Sequence, residues 1–352
     1  MPDSLLLDTT TRIFEDLCDP RTVNAARDGQ WKETLWEAIE QSGLTLAWVP
    51  EEHGGAGAGL GDGFEVLAVS GRFAVPVPLA ETLLAGWLLA QAGLSCPSGP
   101  MTVAPSRLRD TVTVRGDGTL GGKAAAIPFA AAADTLVVLA DRDGAATVAR
   151  VDRSACTIRT SPGFRDDGRD LVELDGARPV ELAPLGSGPD ADCLALMGAT
   201  VRAVQIGGAL ESVLALAGDY ARERVAFERP IARFQAVQHN LARLAGETAA
   251  AVAAAGSAAD TVATGTGGDD ALFLEVASAK IRAGEAAGAG AAIAHQVHGA
   301  IGFTEEHVLH RFTRRLWAWR DDFGSESEWA VRLGRFVAAN GADDLWPLLA
   351  SR

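Results

Sequence analysis

The 352-residue chain is poor in cysteine and in positive charge. Its four cysteines, Cys18, Cys96, Cys156 and Cys193, are scattered and never stand in a CxxC spacing, so neither a zinc knuckle nor a disulfide framework is indicated. Lysine and arginine number 31 against 46 aspartates and glutamates, and a surface with a formal charge of −15 repels a phosphate backbone. Nucleic acid is therefore not expected as a partner. No GxGxxG, GxxxxGK[ST] or GxSxG occurs, which removes the sequence warrant for a Rossmann dehydrogenase, a P-loop NTPase or an α/β-hydrolase. The amino terminus MPDSLLLDTTTRIFEDLCDP lacks a basic stretch followed by a long apolar run. No window reads as approaching the roughly 20 apolar residues that span a bilayer. A reducing, cytoplasmic setting with no membrane partner is the expectation.

Hydrophobic residues make up 48% of the chain, enough for one large or two to three small domains. From Trp31, WKETLWEAIEQSGL sets Leu35, Ile39 and Leu44 near helical spacing; after a turn through VPEEHGGAGAGLG, FEVLAVSGRF and the stretch from Ala80 to Gln91 continue a helical region. Beyond Pro100, TVTV, TLVVLA and ATVARV are short β-branched runs between Gly and Asp turns, which predicts a small antiparallel sheet. From Gly198 to Phe227 the residues Ile206, Leu210, Val213, Leu216, Ala217 and Tyr220 recur with a helical period. Phe234 to Ala255 predicts the next helix, GSAADTVATGTGGDD an exposed connection, and Ala271 to Gly299 an Ala-rich helix. A last helix is expected from Ser325 to Asn340, with Ser325 as N-cap and Glu328 completing a capping box. The division is a helical domain over 1–100, a β-domain over 101–188 and a four-helix bundle over 189–352.

Two C-terminal segments carry the chemistry. ARERVAFERPIARFQAVQHNLA, residues 221–242, crowds Arg222, Arg224, Arg229 and Arg233 around a turn containing Pro230. Guanidinium forks match phosphate oxygens bidentately, so this junction suits a dinucleotide's pyrophosphate, with a neighbouring aromatic for its adenine. A solvated basic face paired with Glu223 and Glu228 is the alternative. In HQVHGAIGFTEEHVLHRFTRR, residues 295–315, Gly299 and Gly302 would let the backbone approach a ligand closely. His295 with His298, and His307 with His310, stand at i, i+3, a spacing able to ligate a metal from one helix face; no HExxH or Glu-x-x-His pattern accompanies them, and no metal is expected. Trp317, Trp319, Trp329 and Trp346 suit core or subunit contacts in an Ala-rich bundle more than a binding surface.

Together, RxxFxRPIxxFQAVQH and the later QxxGxxGFTxExxLHRxxRR resemble the acyl-CoA dehydrogenase family. GLTLAWVPEEHGGAGAGL and VPVPLAETLLAGWLL likewise resemble its amino-terminal domain. The resemblance implies an α+β fold: an N-terminal helical domain, a small middle β-barrel domain and a C-terminal four-helix bundle. It implies FAD as cofactor, contacted by Arg224, Phe227, Gln235, Gln296 and Gly299, in the family often from two different subunits. Ala300 stands where the second glycine of the family's QxxGG is usual.

The family's reaction removes a proton alpha to a CoA thioester and passes the beta hydrogen to flavin as hydride, so one carboxylate base is required. Most members carry it as Glu downstream of the GF pair, immediately before a Gly; counted from Gly302-Phe303, that position is Phe323, before Gly324. A second group carries Glu on the long helix before the Arg-Phe segment, where this chain has Gly198 or Ala199. Asp322 and Glu326 lie close to the first position, but a one-residue shift on a helix rotates a side chain by about 100°. The middle segment departs as well: AIPFAAAAD puts Ala126 and Pro128 where the family's WIT-like strand has Trp and Thr, and no TEPGxGSD-like loop is present. This pattern resembles the degenerate, non-catalytic subunits of heteromeric acyl-CoA dehydrogenases. The implied partner is a related chain in an α2β2 heterotetramer that supplies the catalytic Glu and acts on an acyl-CoA substrate, in such pairs often bulky, as with steroid side chains. The rival expectations are a flavin-free structural scaffold and an active homotetramer using Asp322 or Glu326.

Overall fold

The structure, a computed structural model, describes residues 4–25, 30–161, 168–186, 192–265 and 268–350. Helices come first: α1 (Ser4–Leu17), α2 (Pro20–Ala25), α3 (Gln30–Gln41), α4 (Leu60–Arg72) and α5 (Leu79–Gln91). The helix α1 precedes every helix that the apolar periodicity marks. Its core contact is one residue wide, with Thr10, Phe14 and Cys18 buried at i, i+4 spacing and the Phe14 ring 5.8 Å from that of Phe73.

The strands are β1 (Met101–Ala104), β2 (Val112–Val114), β3 (Leu120–Ile127), β4 (Thr135–Arg142), β5 (Ala145–Asp152), β6 (Thr157–Arg159), β7 (Asp170–Glu173) and β8 (Glu181–Pro184). They form one sheet in the order β6-β7-β3-β2-β4-β5-β8, with β1 on β4 outside this path. Asp143 and Gly144, at φ 54° and 86°, join β4 to β5 in a two-residue turn whose left-handed residues match strand twist. Two expectations are corrected here. The sheet is mixed rather than antiparallel, because β1 and β2 both run parallel to β4. The barrel is not closed: the described strands end in β6 on one side and β8 on the other. Apolar alternation marks which face of a strand is buried and says nothing of the direction of its neighbour. Leu120, Ile127, Leu136, Val138, Ala149, Val151, Val172 and Leu174 make the sheet's core. Helix α5 docks on β1 through Thr82, whose hydroxyl accepts from the Met101 N–H at 3.0 Å and lies 3.2 Å from its carbonyl oxygen.

The remaining elements are α6 (Cys193–Glu223), the short β9 (Val225–Ala226) and β10 (Arg229–Pro230), α7 (Gln235–Thr264), α8 (Gly268–His298), α9 (Leu309–Asp321), α10 (Glu326–Asn340) and α11 (Ala342–Ala350). GSAADTVATGTGGDD is helical over most of its length: α7 continues to Thr264, burying Ala258 and Ala259, and stops at Gly265 with φ 64°. Alanine's helix propensity and the packing of those two methyl groups outweigh the loop-forming residues around them. Helix α6 also corrects the expectation about apolar windows. It is long and apolar enough to cross a bilayer by length and composition, and 89% of its apolar window is buried within the protein. The chain forms two compact units, one of Met1–Trp31, Phe64–Val75 and Ala199–Arg352, the other of Lys32–Gly63 and Pro76–Gly198. In the first, α4 and α6 cross at glycines: a Cβ on Gly71 would lie 2.3 Å from the Gln205 carbonyl oxygen, and one on Gly208 2.1 Å from that of Ala68. No larger residue fits this crossing.

Candidate functional site

Helices α7 and α8 pack side by side and are joined by a short connection, so the start of α7 and the end of α8 share one end of the bundle. The end of α6 joins them, because the Tyr220 ring stacks on His298 at 4.6 Å. Between α6 and α7, β9 pairs with β10 around a two-residue turn of Phe227 and Glu228, at φ 51° and 64°. Such values cost free energy for residues with a Cβ. The turn holds the Phe227 ring 90% exposed, 6.1 Å from that of Phe234.

The four arginines of this junction divide. Arg222 pairs with Asp219, and the Arg229 guanidinium lies 4.3 Å from the centre of the Phe234 ring. Arg224 and Arg233 make no ion pair with a described residue, and neither Glu223 nor Glu228 is paired with any of the four among the described residues. The self-neutralised basic face is thus not formed. Gln235, Gln296 and Gly299 are exposed at the same bundle end; Gly299 has φ 63° and open space where a Cβ would stand. Gly302 plays another part: a Cβ there would meet His298 at 3.0 Å and Leu309 at 3.2 Å, so it is a packing glycine.

The histidines are built into the protein. His295 Nε2 lies 3.0 Å from the Thr313 hydroxyl, His298 Nδ1 lies 2.7 Å from the Ala294 carbonyl oxygen, and His307 Nδ1 accepts the Leu309 N–H at 3.1 Å. Burial lowers the pKa of His295 and of His298 and, with His298, His310 and Arg21 nearby, pushes His307 down to about 4. Among the described residues no group of three or more His, Cys, Asp or Glu side chains could hold a metal ion.

The second place of interest is the corner between α9 and α10. Phe323 occupies it with φ 53° and 2% exposure, and its carbonyl accepts the Trp329 indole N–H at 2.8 Å. Asp322 turns inward: its Oδ2 receives Arg202 Nε at 2.9 Å, and both side chains are buried. Arg202 Nη1 also donates to Gln205 Oε1, whose amide donates to Ser70 Oγ at 3.2 Å. Lys280, fully buried, donates Nζ–H to the Trp319 carbonyl at 3.2 Å and to that of Arg320, holding the end of α9. Glu326 sits 3.7 Å from Arg320 Nε, and the Ser325 hydroxyl accepts from the Glu328 N–H while the Glu328 carboxylate accepts from the Ser325 N–H. A cavity of about 430 Å³ opens elsewhere, among Thr11, Phe73, Ser212, Leu216 and Phe312, and holds none of the expected site residues.

Residues 3–94 match the model of the acyl-CoA dehydrogenase N-terminal domain and residues 195–320 that of the acyl-CoA dehydrogenase C-terminal domain. The chain is 33% identical over 315 residues to the acyl-CoA dehydrogenase IpdE2 of Mycobacterium tuberculosis, an alignment covering 88% of this chain and 89% of that protein. This chain belongs to the acyl-CoA dehydrogenase family. Among solved structures, the ChsE4-ChsE5 complex from Mycobacterium tuberculosis superposes with a TM-score of 0.85 at 25% identity, over 96% of this chain and 97% of that one. The Tcur3481-Tcur3483 steroid acyl-CoA dehydrogenase G363A variant gives 0.83 at 26% identity, over 96% and 98%.

As an acyl-CoA dehydrogenase, the chain is an oxidoreductase family member whose two motifs lie at one bundle end and whose α9–α10 corner binds Asp322 to Arg202 and sets Glu326 3.7 Å from Arg320 Nε. The motif signals located the first. Arg202 and Lys280 escaped sequence reasoning; Arg202 is a lone charge on an apolar helical stretch, which is the signal of a buried pair, whereas Lys280 has Arg282 two residues on and carries no such mark.

Proposed function

We propose that this chain is the non-catalytic subunit of an FAD-dependent acyl-CoA dehydrogenase, paired with a related chain that supplies the base. The observation that carries this reading is the corner: Phe323 stands at the base position, Asp322 is bound to Arg202, and Glu326 lies against Arg320. A base must reach the substrate proton at about 2.6–3.2 Å, and a carboxylate held inward by a buried guanidinium does not. The reading of an active homotetramer based on Asp322 loses its candidate there.

The nucleotide end is in the opposite state. Arg224 and Arg233 have no anion to neutralise them among the described residues, Phe227 offers an exposed ring, and Gly299 leaves room for close approach. These fit a dinucleotide, with Arg224 and Arg233 on its pyrophosphate, Phe227 on its adenine, and Gln235 and Gln296 donating hydrogen bonds. FAD, when bound, supplies the hydride acceptor. This chain's residues bind and orient the nucleotide, and the partner holds the reacting end. The likeness to the ChsE4-ChsE5 complex and to a steroid acyl-CoA dehydrogenase supports a related chain as partner and a bulky acyl-CoA as substrate, and the α2β2 arrangement is part of this proposal. The three segments 1–100, 101–188 and 189–352 and a cytoplasmic setting belong to the same proposal.

Arg224→Ala tests it in the complex co-purified with the related chain. Flavin content per complex is expected to fall with subunit stoichiometry unchanged; a flavin-free scaffold predicts no change in flavin.

A further inference from the structure

The two base positions marked by the family resemblance are physically connected in this chain. Arg202 lies one helical turn beyond Ala199 on α6, and side chains at i and i+3 share a face. Its guanidinium reaches across to Asp322, the residue beside Phe323, at 2.9 Å, and takes Gln205 Oε1 at 2.5 Å. The Trp319 and Phe323 rings flank it, with centres 6.0 and 5.9 Å from Cζ. Arg202, Asp322, Trp319 and Phe323 are all between 1% and 3% exposed.

We propose that Arg202 and Asp322, with Trp319 and Phe323, form a plug that fills the space between α6 and the α9–α10 corner, so that this chain excludes the acyl group altogether. The proposal rests on the reading that this chain lacks the catalytic base and adds that it also lacks the room. Reaction requires the thioester carbons within about 3–3.5 Å of a base. Here that volume is occupied by a neutralised ion pair and two rings. The guanidinium and the carboxylate stay dry because each satisfies the other, while Gln205 and Ser70 extend the hydrogen bonding. Restoring a glutamate at Phe323 would place a carboxylate against this filled interior and admit no substrate. The acyl group, however bulky, is left to the partner.

Octanoyl-CoA is the probe, titrated calorimetrically into the full-length chain. The wild type is expected to show no saturable binding, and the double variant Arg202→Ala/Asp322→Ala, which removes both charges together, to gain it. Arg202→Val/Asp322→Asn serves if the alanine pair does not fold. Hydrogen exchange on the wild type is the independent measurement: octanoyl-CoA should leave exchange over residues 199–205 and 319–326 unchanged. Protection of those segments in the wild type, or folded variants that bind no better than the wild type, would overturn the plug. Binding by the wild type without turnover sinks the plug alone; turnover by the wild-type chain sinks the base-less reading beneath it.

Discussion

At the scale of single residues, the corner is held by groups that are stable only in company. Removing one partner of a buried ion pair leaves a charge with neither water nor counter-ion. Asp322→Ala is expected to lower unfolding free energy by about 3–5 kcal/mol in urea titrations, and Arg202→Met/Asp322→Leu by much less. Equal losses would mean that the carboxylate does not neutralise Arg202. Lys280 gives a pH dependence. Burial is the largest influence and pushes its ammonium down to about 7 from 10.5, against the attraction of Asp321 and Glu326. Between about pH 7 and 10.5 the unfolded chain therefore holds a proton that the folded chain has lost, and unfolding free energy rises with pH across that window. Below it both states are protonated and the penalty is full. Wild-type stability relative to Lys280→Met should grow from pH 7 to pH 9, by at most about 1.4 kcal/mol per pH unit. A flat or falling difference would show that Lys280 stays charged. Asp322 was conspicuous in the sequence as a stray carboxylate, but its role was not legible, because Arg202 stands 120 residues away.

At the scale of elements, what was legible is what is local. The capping box of α10 needs only Ser325 and Glu328, three residues apart, and it forms as their spacing predicts. Ser325→Ala should cost about 1 kcal/mol in denaturant midpoint measurements. No change would mean that Trp329, packed at 0% exposure on the first turn, carries that end of the helix alone. The Asp143-Gly144 hairpin was equally readable from its turn residues. Strand direction was not: β1 and β4 pair in parallel across intervening strands, and nothing within either strand encodes that. The extension of α7 to Thr264 was hidden for a related reason, since Gly256 and Thr261 read as loop until Ala258 and Ala259 find a surface to pack on.

At the scale of the whole molecule, the proposed role leaves this chain with a nucleotide grip and no site for substrate. Co-expression with a related chain that retains the family glutamate should give a mixed assembly with one flavin per pair of chains, measurable by native mass spectrometry and flavin absorbance. One flavin per chain, or turnover by the isolated chain, would contradict the pairing. The two family motifs were legible because each is contiguous in sequence, and the Phe at 323 was legible because its position could be counted from Gly302-Phe303.

The sequence by itself determined the family, the order of helical and strand segments, the residues of the two motifs that meet at one bundle end, and the absence of glutamate at two positions. These follow from local spacing and residue type, which a linear chain displays. Only the tertiary structure decided that Asp322 is consumed by Arg202, that Lys280 clamps the end of α9, that the sheet is mixed and open, and that Arg224 and Arg233 have no counter-ion among the described residues. Each depends on which groups distant in sequence share a volume, and that is settled by packing the whole interior at once.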